Sequence, residues 1–162
     1  MLRNEAGQSA VEFILMFPFV LLMLMAIAEF GAAFYMYVTV NNATSEAARW
    51  AATAHIPDPA CADESIQWRA REMSQGMLEC DARTVFEITY EDAESGEPAR
   101  GTGVTVRVER TYTALTPLPG LVSLVTGGIF PASWQMSACS DARLERRMPT
   151  GVYVSGAGQC GS

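Results

Sequence analysis

The sequence contains no lysine and only one histidine, His55, among its 162 residues. Without lysine it cannot form a Walker-type phosphate loop or a Schiff base, and one histidine excludes metal sites built on two or three imidazoles. Arginine supplies all 11 basic residues, against 18 acidic ones, and the net charge is −7. Because binding to a phosphate backbone needs a basic face, this balance argues against nucleic acid as a partner.

Charge is also nearly absent from residues 13–40, where Glu29 is the one charged side chain. As a helix, the uncharged run 13–28 covers about 24 Å, and its continuation to residue 40 exceeds the roughly 30 Å of a bilayer core. Pro18 lies inside this run, and membrane helices tolerate proline because they can kink. The sequence therefore predicts one transmembrane helix, with Glu29 near its far interface.

Cysteine is absent before residue 61 and occurs four times from there on, at Cys61, Cys80, Cys139 and Cys160. An even number in an exported domain predicts two disulfides, and the lack of a CxxC pair argues against a zinc site. A continuous helix from Asp63 to Leu78 would hold Cys61 and Cys80 about 24 Å apart, too far for a disulfide. Two pairings then remain open: Cys61–Cys139 with Cys80–Cys160, or Cys61–Cys160 with Cys80–Cys139.

A short motif precedes the apolar run: Gly7, Gln8, and then Glu12-Phe13. A glycine followed five residues later by a glutamate, at the start of a long apolar helix, resembles the type III signal of type IV pilins and pseudopilins. In that family a prepilin peptidase cuts after the glycine, on the cytoplasmic side. The resemblance implies a cut between Gly7 and Gln8, which leaves Glu12 as the fifth residue of the mature chain.

Three further groups of residues extend the resemblance to the TadE-like pseudopilins of tight adherence (Tad, Flp-type) pilus systems: Pro18, Glu29-Phe30-Gly31 and Ala47-Ala48-Arg49. The similarity covers roughly residues 7–55. It implies a non-enzymatic role in pilus assembly and adhesion. The implied partners are a prepilin peptidase, other pilins, the inner-membrane assembly platform and the lipid bilayer.

Glu12 is the candidate assembly residue, and Glu29 is a possible helix-packing residue. A carboxylate costs about 2.5–3.5 kcal/mol at the centre of a membrane helix unless it is paired, and cleavage would create a positive amine at Gln8 with which Glu12 of a neighbouring subunit can pair. Two interpretations of Glu29 stay open: an interfacial residue, or a contact with another pilin helix. Ala28 and Ala32 beside it form a pair of small residues that permits close helix approach.

The domain organisation expected from these features is a cleaved leader 1–7, a transmembrane and assembly helix 8–40, and a periplasmic domain 41–162. The N-terminus is expected in the cytoplasm of a bacterial cell, with the anchor in the inner membrane. The four cysteines favour export of the C-terminal part.

The sequence predicts an α+β fold, in which the long pilin-like helix packs on a small antiparallel sheet. The helix is expected to extend through residues 41–55, along an alanine stripe that stops before Pro57. Alternating apolar residues predict a hairpin of strands Thr84–Tyr90 and Gly103–Tyr112 with an exposed acidic tip at residues 91–98. A helix is expected over Asp63–Leu78, capped by Asp63 and with a buried stripe of Ile66, Ala70, Met73 and Met77. A short helix in Leu115–Val125 and a strand Ala132–Ala142 are expected to follow. The tail 143–162 is expected to be mostly loop, with an edge strand at residues 152–154.

Nothing in the sequence predicts catalysis, a metal or a cofactor. His55 lies at a helix end without a GxSxG motif, and the acidic residues 91–97 lack the spacing of a calcium loop. Two alternatives remain: an uncleaved, membrane-tethered periplasmic scaffold or binding domain of a secretion apparatus, and a soluble secreted protein cut after Ala28. The mature N-terminus distinguishes the three possibilities, since the chain would begin at Gln8, Met1 or Glu29.

Overall fold

The computed structural model describes residues 5–91, 93, 97–128, 131–149, 151, 153, 154 and 160. The three strands form one antiparallel sheet in the order β1-β2-β3. The predicted α+β fold is therefore confirmed, with one long helix, a small sheet and two short helices. The elements in chain order are α1 (Glu5–Ala52), α2 (Ile66–Met73), β1 (Thr84–Tyr90), β2 (Gly103–Thr113), α3 (Leu118–Thr126) and β3 (Ser133–Arg143).

The C-terminal end of α1 lies at Ala52, before the predicted end at residue 55. Its last carbonyls are bonded to other groups: the Thr53 hydroxyl donates to the Trp50 carbonyl, and the Glu145 amide donates to the Ala52 carbonyl at 2.8 Å. Ala54 then adopts a left-handed conformation with φ 70°. A left-handed residue cannot continue the helix, so α1 stops there.

The larger compact unit, Met36–Tyr112 with Trp134–Ser162, has its core on the C-terminal part of α1. The antiparallel register of β1 and β2 places Ile88 opposite Val106 and Tyr90 opposite Val104, and all four side chains are buried. The alternating apolar residues that predict the hairpin therefore lie on its buried face. The buried apolar side chains of α1 recur at helical spacing and include Met36, Val40, Ala43, Ala47 and Ala51.

Helix α2 is shorter than predicted, and its predicted cap was wrong. Ser65, not Asp63, caps the helix, since its hydroxyl accepts a hydrogen bond from the Trp68 amide at 3.0 Å. Beyond Met73 the chain turns through Gln75 and Gly76, whose φ values are 54° and 80°. This left-handed pair ends the helix and reverses the chain.

The apolar stripe of α2 is only partly as predicted. Ile66 and Ala70 are fully buried, and Met77 is half-buried. Met73 was expected to be buried but is 46% exposed. Because the helix stops at this residue, Ser74 lies in the core instead, and its hydroxyl accepts a hydrogen bond from the Leu78 amide.

Arg69 connects α2 to α1. Its guanidinium donates to Glu46 at 2.9 Å and to Glu72 at 2.7 Å, and it lies 5.1 Å from the centre of the Trp50 ring. The hydrogen bonds to Glu46 and Glu72 raise the pKa of Arg69 above its ordinary value. Glu46 also pairs with Arg49 at 3.3 Å, as the i, i+3 spacing predicts.

The later elements lie close to their predicted positions. Helix α3 begins after Pro117 and stops at Gly127, which has φ 71°. In the tail, the Val154 carbonyl accepts a hydrogen bond from the Tyr90 amide at 2.9 Å, yet the described residues beyond Arg143 contain no strand. Val152 of the predicted edge strand lies outside the described residues, as do 92 and 94–96 of the hairpin tip.

A pH dependence is expected from Asp81, which joins the loop before β1 to Arg110 of β2 at 2.9 Å. Burial alone would raise the pKa of the Asp81 carboxyl, but the Arg83 amide and the Arg110 charge hold it below its ordinary value of 3.8. This stabilisation is present above the ordinary pKa and is lost as the pH falls through the lowered one. Between about pH 6 and pH 2, the protein should therefore lose more unfolding free energy than the Asp81→Asn variant. Denaturant unfolding at each pH measures this free energy, and equal losses in the protein and in the Asp81→Asn variant would contradict the prediction.

Candidate functional site

The N-terminal part of α1 is an apolar helix without packing partners over most of its length. Residues 7–28 are exposed on all sides except for a half-exposed Met25, in contrast to the part beyond Met36. In the part of the chain that the structure describes, α1 is the one helix long and apolar enough to cross a membrane. Phe13 and Phe19 are 66% and 69% exposed, as lipid-facing side chains would be. The predicted membrane-spanning segment is thus consistent with the structure.

Gln8 and Glu12 lie one turn apart on the exposed surface of α1. The Gln8 side-chain amide donates to Glu12 Oε1 at 3.3 Å. Gly7 is inside the helix, which begins at Glu5. A glycine inside a helix is about 1 kcal/mol less favourable than an alanine, so the helical turn that contains Gly7 costs less to unwind. The implied cleavage bond between Gly7 and Gln8 therefore lies in the first turns of α1, one turn before Glu12.

Glu29, for which the sequence left an interfacial position and a contact with another pilin helix open, is buried in the structure. Its carboxylate accepts hydrogen bonds from the Leu115 amide at 3.1 Å, the Thr116 amide at 2.8 Å and the Thr116 hydroxyl at 2.8 Å. All three residues belong to the smaller compact unit, which combines α1 up to Tyr35 with Thr113–Ser133. Three donors satisfy a carboxylate that would otherwise be costly to bury.

Leu115 and Thr116 are the residues that sequence reasoning missed, because they lie 86 and 87 positions from Glu29. One signal was available. Residues 111–140 contain no charged side chain, whereas residues 62–110 are rich in them. A long uncharged stretch in such a domain is a candidate for a segment beside the apolar helix, and this one contains Leu115 and Thr116.

The small-residue pair beside Glu29 is only partly covered. Ala28 is exposed and Ala32 is half-buried. The exposed Gly31 lies between them, and a Cβ built on it meets no atom within 4 Å. Close approach of a second helix at this pair remains a prediction.

The cysteine pairing predicted from the sequence was wrong. The structure pairs Cys61 with Cys80 and Cys139 with Cys160, with Cα atoms 6.3 Å and 5.5 Å apart. The error came from the assumption of a continuous helix over Asp63–Leu78. Because α2 has only eight residues and a chain reversal follows it, Cys61 and Cys80 come within disulfide range.

Two sites carry side chains that could bind a metal or act in catalysis, a cysteine–aspartate cluster and His55, but the contacts of both fit a structural role. Cys139, Asp141 and Cys160 cluster as metal ligands would, but both cysteines are disulfide-bonded and offer no thiolate. The His55 ring stacks on Trp50 with centres 3.8 Å apart, and its Nδ1 lies 2.8 Å from the Thr53 hydroxyl. These contacts fit a histidine that closes the end of a helix.

Comparison with known families identifies the N-terminal segment. Residues 7–49 match the family model described as TadE-like protein, over just more than a quarter of the chain. The match begins at Gly7 and contains Glu12 and Glu29, so the resemblance inferred from these residues is confirmed. No curated protein and no solved structure matches the chain significantly.

Proposed function

We propose that this chain is a TadE-like pseudopilin, a non-enzymatic component of a tight adherence pilus system. Its leader 1–7 is removed by a prepilin peptidase, segment 8–40 anchors it in the bacterial inner membrane and assembles with other pilins, and the domain 41–162 lies in the periplasm. The observation that carries the proposal is the family match, which begins at Gly7 and runs through an exposed apolar helix long enough to span a membrane.

The surroundings of Glu12 support an assembly role. Glu12 is exposed, and its one hydrogen bond between described side chains is to the side chain of Gln8. A cut after Gly7 makes Gln8 the first residue of α1 and gives its main-chain nitrogen a positive charge at the positive end of the helix dipole. In a stack of subunits, this amine attracts Glu12 of a neighbour, while the exposed apolar side chains supply adhesion.

The two disulfides support the periplasmic placement, since disulfides persist in oxidising compartments. The contacts of Glu29 work against the alternative of release by a cut after Ala28. Such a cut would make Glu29 the first residue of the chain, where helices fray, whereas the structure holds it by hydrogen bonds from Leu115 and Thr116. An uncleaved scaffold is compatible with both features and differs only at the N-terminus.

The test is the mature N-terminus of the chain, produced in cells that also contain a prepilin peptidase. Intact mass and N-terminal sequencing should find Gln8 as the first residue. Replacing Gly7 by alanine or a bulkier residue should block the cut, because a side chain stiffens the turn and fills the space that the peptidase needs beside the bond.

Gly31→Ala is the matched control, since it makes the same change in the same helix at a position with open space. It should be processed like the unaltered chain. A chain that begins at Met1 or Glu29 would refute the proposal in favour of the tethered scaffold or the secreted protein.

A further inference from the structure

The segment that contains α3 presents an apolar surface to its surroundings. In residues 113–128, termed the α3 segment, the side chains of Leu115, Leu121 and Leu124 are 76%, 45% and 82% exposed. Leu121 and Leu124 lie three positions apart, on one face of α3. The α3 segment has no charged residue. Exposed leucines in a segment that has no charged residue of its own indicate a surface that is covered by something apolar.

The hydrogen bonds of Glu29 fix the level of the α3 segment along α1. Twenty helical residues span about 30 Å, so a bilayer core that begins at Phe13 reaches to about Ala32. Glu29 lies before that limit. Tyr35 and Tyr37 follow it, 56% and 52% exposed, as aromatic side chains at a membrane interface are. The Leu115 and Thr116 amides, bonded to Glu29, therefore lie at the outer edge of the hydrocarbon core.

We infer that the α3 segment inserts into the outer leaflet of the membrane, where Leu115, Leu121 and Leu124 contact phospholipid chains. Glu29 positions the segment, because its carboxylate holds the two amides and the hydroxyl just before α3. The arrangement also gives the carboxylate partners at a depth where water is scarce. The chain then has a second membrane contact besides α1.

Lipid fits this surface better than a protein partner does. Arginine, tyrosine and tryptophan dominate the energetics of protein interfaces, and residues 113–133 contain none of them. The surface is instead small, aliphatic and continuous with a helix that crosses the membrane. The polar side chains of the segment are uncharged, and those of Ser123 and Thr126 donate hydrogen bonds to carbonyls of α3 itself.

The inference is tested by photo-crosslinking of the full chain in vesicles of phosphatidylethanolamine and phosphatidylglycerol. p-Benzoylphenylalanine is placed at Leu124, whose 82% exposure leaves room for it, and intact mass reports what it captures. Val85 is the matched control: it is 57% exposed and lies opposite Glu109 in the sheet, in charged surroundings. Lipid adducts at position 124 should exceed those at position 85 at least tenfold. The same probe at Phe19 reports the insertion of α1.

The outcomes separate this inference from the proposed function. Lipid adducts at Phe19 with background levels at Leu124, or capture of a second chain at Leu124, would overturn the α3 contact and leave the anchor intact. A lack of lipid adducts at both positions would overturn the membrane anchor and this inference together. In the Glu29→Ala background, adducts at Leu124 should fall several-fold while those at Phe19 persist. Unchanged adducts at Leu124 would contradict the positioning role of Glu29.

Discussion

The Glu12→Ala variant is expected to be cut after Gly7 as the unaltered chain is, and yet to lose most of its co-purification with other pilins. Processing acts on the preceding turn, where Gly7 and Gln8 remain. In an assembly of the variant, in contrast, each Gln8 amine would lack the Glu12 carboxylate of the neighbouring subunit. A hydrogen bond to a charged group contributes about 1.5–3 kcal/mol, which corresponds to a drop of roughly tenfold or more in recovered partner.

Further variants at positions 8 and 12 separate charge from shape. Glu12→Gln keeps the length of the side chain and removes its charge, so it should behave like Glu12→Ala. Glu12→Asp keeps the charge on a shorter side chain and should recover part of the assembly. Gln8→Ala removes the 3.3 Å bond between the two side chains but keeps the main-chain amine, and it should assemble normally.

The measurement is the amount of partner pilin recovered with a C-terminally tagged chain, normalised to the amount processed. Normal recovery with Glu12→Gln would refute the charge pairing, and Glu12 would then only lie among lipid headgroups. Loss of recovery with Gln8→Ala, at unchanged processing, would assign the partner role to the Gln8 side chain instead of its amine.

Local patterns in the sequence predicted most of the fold correctly. The uncharged run and the alanine stripe specify α1, because helix period and hydrophobicity act within a few turns. Strands β1 and β2 were predicted to within one residue, since the alternation of Ile88 and Tyr90 with polar residues leaves one register that buries both. The family resemblance likewise rested on neighbouring residues, from Gly7 to Arg49.

The features that the sequence did not predict depend on distant parts of the chain or on a rare backbone conformation. Glu29 finds its hydrogen-bond partners 86 and 87 residues away, and no local pattern encodes that distance. The early stop of α2 depends on Gln75 adopting a left-handed conformation, which a non-glycine residue rarely does. That single turn changed both the burial of Met73 and the predicted disulfide pairing.

The disulfide pairing itself can be read from peptides of the unreduced protein. Trypsin cuts after arginine, and the sequence places the four cysteines on four different peptides: 50–69, 72–83, 111–143 and 148–162. The structure predicts that peptide 50–69 is linked to 72–83 and that 111–143 is linked to 148–162. A link between 50–69 and either of the last two peptides would contradict this pairing and restore one of the arrangements inferred from the sequence.

Removal of the Cys61–Cys80 disulfide should destabilise the protein more than the loss of any one of its exposed ion pairs, which contribute about 1 kcal/mol or less. The bond closes a loop with a sequence separation of 19, for which loss of the cross-link is expected to cost about 3 kcal/mol of unfolding free energy. The loop holds α2, whose Ile66 and Ala70 are completely buried. Unfolding of the full-length Cys61→Ser/Cys80→Ser variant in detergent, followed through the fluorescence of its three tryptophans, measures this loss.

The Cys139→Ser/Cys160→Ser variant is the matched control, because its loop is almost the same size, with a separation of 21. Loop closure alone predicts nearly equal losses for the two variants. If the contacts of α2 with the core also depend on the first disulfide, the Cys61→Ser/Cys80→Ser variant should lose more, and Trp68 on α2 should become more exposed to soluble quenchers at low denaturant. An effect below about 1 kcal/mol, together with unchanged quenching, would mean that the buried face of α2 holds the loop without the disulfide.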